Sequence, residues 1–226
     1  MICRVINVVF VVIVLAGLPV LSIWTMHRED PSAVPRKALY LSAALSQWLL
    51  AFLTLVVALT DRAGFTEFHA IRPADFVRWT ALILLISLGG LGAVLFLEMR
   101  GWWPEESKWV YALMPRTAKE KLWALLLLAP TAGFCEEFVY RGYLLAQLSQ
   151  YLHSTVWAWV ISSFGFGMAH TYQKANGVAR ATLLGGLLAW PVVRLGSIYP
   201  SMGAHFLIDA VALVWLGPWS LKRNAG

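Results

Sequence analysis

The chain has 226 residues, 59% of them hydrophobic and 13% charged, where soluble domains carry roughly 45–50% and about 25%. A core of this size cannot hide so much apolar surface, so a water-soluble domain is excluded and the remainder must face lipid. The net charge of +6 sits mostly on residues flanking long apolar runs, which fits anionic lipid headgroups and not nucleic acid. Cys3 and Cys135 match neither a disulfide framework nor a zinc knuckle.

A bilayer-crossing helix needs about 20 apolar residues. Residues 5–24, 38–60 and 80–97 are uncharged and read as three spans. The first is long for a signal-peptide core and lacks a small-x-small cleavage site, so it reads as a retained span. The second half is apolar but interrupted. Residues 122–135 are uncharged, then Glu136, Glu137 and Arg141 intrude, and 142–152 are uncharged again. Residues 154–169 end at His170, 178–193 carry one arginine, and 199–216 carry His205 and Asp209.

Whether 119–151 forms one long helix or two short spans decides the topology. One helix gives seven spans and places 12 of the 18 basic residues on one side and 5 on the other, with Arg141 intramembrane. A split at Glu136 gives eight spans with a 9 to 8 distribution and no positive-inside bias. The expected architecture is therefore an all-α, polytopic transmembrane helix bundle of seven spans, with eight as the alternative. Residues 1–226 form one integral membrane domain whose motif-bearing core covers about 119–217. Pro130 is expected to kink the fourth helix, not end it.

The segments 25–37 and 61–78 read as short polar loops. Residues 100–121 hold Trp102, Trp103, Trp109 and Tyr111 among charges and suit an interfacial segment. Glycines 89, 90, 92, 165, 167, 185 and 186 read as sites of close helix approach.

Of the 12 acidic residues, Glu136, Glu137 and Asp209 fall inside apolar runs, as do two of the five histidines, His170 and His205. An ionisable group at bilayer depth costs about 2.5–3.5 kcal/mol even on the mild insertion scale. Five such groups are functional candidates, provided they meet. At about 1.5 Å of rise per residue, Glu136 and His170 lie roughly 21 and 24 Å, and His205 and Asp209 roughly 10 and 16 Å, from the same side. Glu137 and Arg141 are i, i+4 on one face, in the favourable order for an ion pair. Glu136 is turned about 100° from Glu137. Phe166 and His170, and His205 and Asp209, repeat the i, i+4 spacing.

Glu136-Glu137-x-x-x-Arg141, then Phe166-x-x-x-His170, then His205-x-x-x-Asp209, on successive apolar segments, resembles the CPBP family, the CAAX-processing and bacteriocin-processing (Abi) membrane proteases that include the type II CAAX prenyl endopeptidases. The resemblance covers roughly 122–216, and the first three spans carry no matching motif. It implies an intramembrane endopeptidase that cuts a prenylated tail or a leader-type peptide near the membrane surface. Glu136 would be the general base, with His170 holding the water, and His205 and Asp209 serving the oxyanion. Glu137 and Arg141 read from their spacing as a structural ion pair that orients the helix, with a substrate-orienting contact as the alternative.

The residues leave two chemical questions. An ionised Asp209 beside a developing negative charge would oppose catalysis, so Asp209 either carries a proton or sits behind His205 and orients its imidazole; the second is expected. Two histidines with Glu or Asp would also bind a divalent ion such as Zn²⁺, yet HExxH is absent. A metal-free glutamate mechanism is preferred, with no cofactor committed. Cys135 reads as a small buried residue, and Tyr140 and Tyr143 as lining the face of Glu136. His27, His69 and His153 are assigned nothing.

Two other functions use the same features. A non-catalytic immunity or scaffold protein has no need of the buried set, and a proton-coupled transporter would show a repeat. The expected partners are membrane lipid and a peptide or lipidated-protein substrate, and the sequence leaves the oligomeric state open. A multi-pass cell-membrane location, the plasma or inner membrane of a prokaryote, fits the lack of a transit peptide.

Overall fold

A computed structural model describes residues 2–60, 68–104 and 106–216. These residues are helical throughout apart from short connections, and the chain is an all-α, multi-pass integral membrane protein. The segment 61–67, including Arg62, and the tail with Lys222 and Arg223 lie outside the described residues.

Helix α1 covers Ile2–Arg28, α2 Arg36–Thr60, α3 Pro73–Met99, α4 Lys108–Leu113, α5 Ala118–Leu152, α6 Thr155–Ala169 and α7 Lys174–Leu195. The last helix, α8, is Tyr199–Val211, continued by a wider π-turn over Ala212–Leu216. Helices α1, α2, α3, α5 and α7 are each long and apolar enough to cross a bilayer. Helix α6, at 15 residues, rises only about 22 Å. Helices α6 and α8 are shorter, and the described helices follow the order of the apolar runs.

Burial is inverted relative to a soluble fold. Leu45, Leu59, Leu85, Val156 and Leu183 point outward and are exposed, while Asn7, Glu137, Arg141, Gln147 and His205 are buried. This is the distribution expected when lipid replaces water as the outer solvent.

Helix α5 is continuous through Glu136, so the eight-span alternative is corrected: the chain does not break there. Two features let one helix carry both a proline and a charged cluster. A π-turn over Ala124–Leu128 precedes Pro130, with the Ala129 N–H reaching the carbonyl of Ala124. Widening the turn gives room for the proline ring, whose clash with the preceding turn would otherwise bend or break the helix. A second π stretch, Phe138–Leu144, follows the two glutamates. The helix packs on α2, α6 and α8, and α2 and α8 hydrogen-bond to its Thr131, Glu136 and Glu137 side chains.

Helix α3 starts at Pro73, seven residues before the expected 80, so residues 73–78 are helix and not loop. Proline at the first helical position is pre-set for helix and needs no N–H there. The Arg72 Nε also lies 2.7 Å from Asp75 Oδ2 across the first turn. Residues 100–121 hold the short α4, capped by Ser107, whose hydroxyl accepts from the Val110 N–H. A reciprocal capping box, Thr117 with Glu120, then opens α5.

The glycines divide. A Cβ at Gly89, Gly90 or Gly92 would meet nothing within 4 Å, so these three do not mark close approach among the described residues. Gly185 does, because a Cβ there would sit 3.2 Å from the backbone of Ser163 and the ring of Phe166. One close contact beside the site falls at a glycine outside that set. A Cβ on Gly133 would lie 2.9 Å from the backbone nitrogen of Phe206, so α5 and α8 touch backbone to backbone one turn before Glu136.

Candidate active site

Four helices supply the cluster. Helix α5 brings Glu136, Glu137 and Arg141, α6 ends on His170, α8 brings His205 and Asp209, and α2 brings Gln47. The five ionisable residues singled out above, together with Arg141, meet in one place.

The deepest layer is Glu137 and Arg141, 0% and 1% exposed. Arg141 donates to Glu137 Oε1 at 3.0 Å and to the carbonyl of Gly185 on α7 at 3.0 Å. Its guanidinium stacks over the ring of Phe166 at 4.3 Å. One buried cation thus ties α5 to α6 and α7, with its charge answered by Glu137. The same Glu137 Oε1 lies 2.8 Å from His205 Nδ1. A carboxylate oxygen can only accept, so Nδ1 donates and carries the proton of that tautomer. His205 is thereby fixed with Nε2 turned away from Glu137.

His170 is fixed in the same manner. Its Nδ1 donates to the backbone carbonyl of Phe166, one turn back, at 2.8 Å. The Phe166 ring packs against both imidazoles, 4.7 Å from His170 and 6.0 Å from His205. Both rings therefore offer Nε2 to the same region.

Glu136 occupies that region. Its Oε1 accepts from Gln47 Nε2 at 2.7 Å. Its Oε2 lies 3.9 Å from His170 Nε2 and 3.9 Å from His205 Nε2, with no direct hydrogen bond from a described residue. These separations are too long for direct bonds and suit a bridging water. The side chains of Glu136 and His170 are each 16% exposed and that of Asp209 30%, whereas His205 is 4%. The cluster is most buried at Glu137, Arg141 and His205 and most exposed at Asp209.

Asp209 does not sit where the sequence reading put it. Its Oδ2 lies 3.8 Å from His205 Nε2, on the Glu136 side of the ring. Glu137, not Asp209, backs Nδ1 and orients the imidazole. Asp209 instead lies on the same side of the His205 ring as Glu136. Tyr143 also departs from expectation: its hydroxyl donates to Asn7 on α1 at 2.8 Å, away from Glu136. Tyr140 packs edge-on against Phe166 at 5.1 Å. Cys135 is buried and packs with Ala51 and Phe138.

Gln47 was missed. The available signal was slight: it is the single amide side chain in the uncharged run 38–60. Among the described residues no group of three or more His, Cys, Asp or Glu side chains has the geometry to hold a metal ion.

No curated protein and no solved structure matches the chain. Residues 118–211, from the capping box that opens α5 into the middle of α8, match the family model described as type II CAAX prenyl endopeptidase Rce1-like, the family to which the three motifs point.

Proposed function

We propose that the chain is an intramembrane endopeptidase that hydrolyses a peptide bond with a water activated by Glu136, acting on a CAAX-type prenylated tail or a leader-type peptide. One observation carries this reading: Glu136 Oε2 faces the Nε2 atoms of His170 and His205 at equal 3.9 Å distances, while every other polar atom of the two rings is committed elsewhere.

The chemistry follows from those commitments. Neutral His170, with its proton on Nδ1, presents a lone pair at Nε2 and accepts one hydrogen from the water. Glu136 Oε2 accepts the other and takes it as the oxygen attacks the scissile carbonyl carbon. The carbonyl oxygen gains the charge, and His205 Nε2, when protonated, is the donor placed to meet it. Collapse of the tetrahedral intermediate breaks the C–N bond, and the proton held by Glu136 passes to the leaving nitrogen. Bringing the reactants together in this orientation supplies much of the acceleration.

The deciding experiment assays purified wild type and Glu136→Gln on a quenched fluorescent peptide carrying a farnesylated cysteine and on an unmodified leader-type peptide. Turnover of either by wild type, abolished in the variant, is expected. Binding without cleavage by wild type would overturn the reading in favour of a non-catalytic protein.

A further inference from the structure

We infer that Gln47 is a positioning residue for the reaction, so that α2, outside the matched segment 118–211, completes the site. The inference rests on the proposed role of Glu136 as base.

A glutamate side chain has two equivalent oxygens and rotates about its last bond. Left alone, Glu136 could turn either oxygen, or neither, toward the histidines. Gln47 removes that freedom. Its Nε2 is 2.7 Å from Oε1, an amide donor on a carboxylate acceptor, and this fixes Oε2 in the position 3.9 Å from both rings. A neutral donor holds the oxygen without the competing ion pair that a lysine or arginine would form.

Helix α2 is itself held so that this contact has a defined geometry. Next along the helix, Trp48 donates from Nε1 to Thr131 Oγ1 on α5 at 3.1 Å, and Trp48 stacks on Phe134 with ring centroids 5.3 Å apart. Towards its start, the Tyr40 hydroxyl donates to the carbonyl of Leu113 at 3.0 Å. These bonds dock the helix, and Gln47 alone among them touches the reacting carboxylate. Among the described residues the bond to Glu136 is the one hydrogen bond the Gln47 amide makes through its side chain, and its Oε1 is buried.

The test compares Gln47→Met with Thr131→Val and wild type on the farnesylated fluorescent peptide. Methionine keeps the length and flexibility of the side chain and removes the donor. Thr131→Val removes the neighbouring bond between the same two helices and leaves Glu136 untouched. The inference expects Gln47→Met to lower kcat by about tenfold to a hundredfold with KM within about twofold, and Thr131→Val to stay within about twofold of wild type in both. A Gln47→Met enzyme with wild-type kcat would overturn it, as would equal losses in the two variants, since that marks general helix docking. If Glu136→Gln is dead while Gln47→Met is fully active, the base assignment stands and the positioning role falls. A wild type with no turnover removes both together.

Discussion

Glu137 Oε1 is shared by two partners, the guanidinium of Arg141 at 3.0 Å and the imidazole of His205 at 2.8 Å. One buried oxygen thus links the structural ion pair on α5 to the orientation of a site histidine on α8. The stability of the bundle and the geometry of the site run through the same atom, and mutations can separate them.

Glu137→Met alone leaves Arg141 as an uncompensated buried cation, which costs about 3–5 kcal/mol. The expected result is a large drop in thermal stability in detergent together with loss of activity. The double variant Glu137→Met/Arg141→Met removes both charges, and such swaps are often neutral in stability. It should recover most of the thermal stability and none of the activity, because His205 has still lost its Nδ1 acceptor. Recovery of activity along with stability would show that Glu137 does nothing for His205.

Asp209 approaches His205 at Nε2, 3.8 Å away, with a side chain 30% exposed. It is therefore the more exposed polar group of the site, on the side where the proposed mechanism builds charge on the substrate oxygen. Asp209→Asn keeps a polar side chain of the same shape without a negative charge, and should retain activity within about tenfold of wild type. Asp209→Leu places an apolar group beside the developing oxyanion and should lose about a hundredfold or more, the scale seen when an oxyanion contact is removed. Steady-state rates on one peptide measure both, and equal losses would show that the carboxylate itself is needed.

The contrast between Asp209 and Glu137 shows how far the sequence could be read. Charged residues inside apolar runs are costly wherever they occur, so Glu136, Glu137, Arg141, His170, His205 and Asp209 stand out unaided, and the structure brings them together. Helical spacing also put Asp209 and His205 on one face of α8. It could not say which ring nitrogen Asp209 faces, because ring orientation is set by Glu137 on another helix. Gln47 escaped for a similar reason: a neutral amide in a span is a weak signal, and its partner lies 89 residues away. Residues 73–78 are helical although their charges end an uncharged run, and Pro73 is the sequence sign of that helix start.

Glycine makes the same point for packing, and it carries a prediction. Gly89, Gly90 and Gly92 look alike in sequence to Gly133, yet only Gly133 has backbone within reach of an added Cβ, at 2.9 Å from Phe206 N and 3.1 Å from Met202 O. Gly133→Ala must push α8 from α5 at the level where His205 meets Glu137. Overpacking of this kind costs about 1–3 kcal/mol, which should leave a folded protein. Activity should fall by about a hundredfold, the scale of an ångström's misplacement. Gly92→Ala, which meets open space, should leave both rate and thermal stability near wild type. An active Gly133→Ala enzyme would show that the contact between α5 and α8 does not set the catalytic distance.

The last question is whether the histidines hold a metal ion or a water. Donors about 2.0–2.1 Å from one tetrahedral Zn²⁺ lie about 3.3–3.4 Å from each other. Glu136 Oε2 is 3.9 Å from each Nε2, wider than a closed metal shell. Glu136 is also held on its other oxygen by Gln47, which suits a base that must keep its orientation while it exchanges a proton. Turnover of the farnesylated peptide is therefore expected to survive prolonged treatment with 1,10-phenanthroline, with metal well below one ion per chain in the active protein. Loss of activity in the chelator, restored by Zn²⁺ and accompanied by about one bound ion per chain that His170→Ala and His205→Ala each abolish, would replace the glutamate mechanism with a metal-dependent one built on the same side chains.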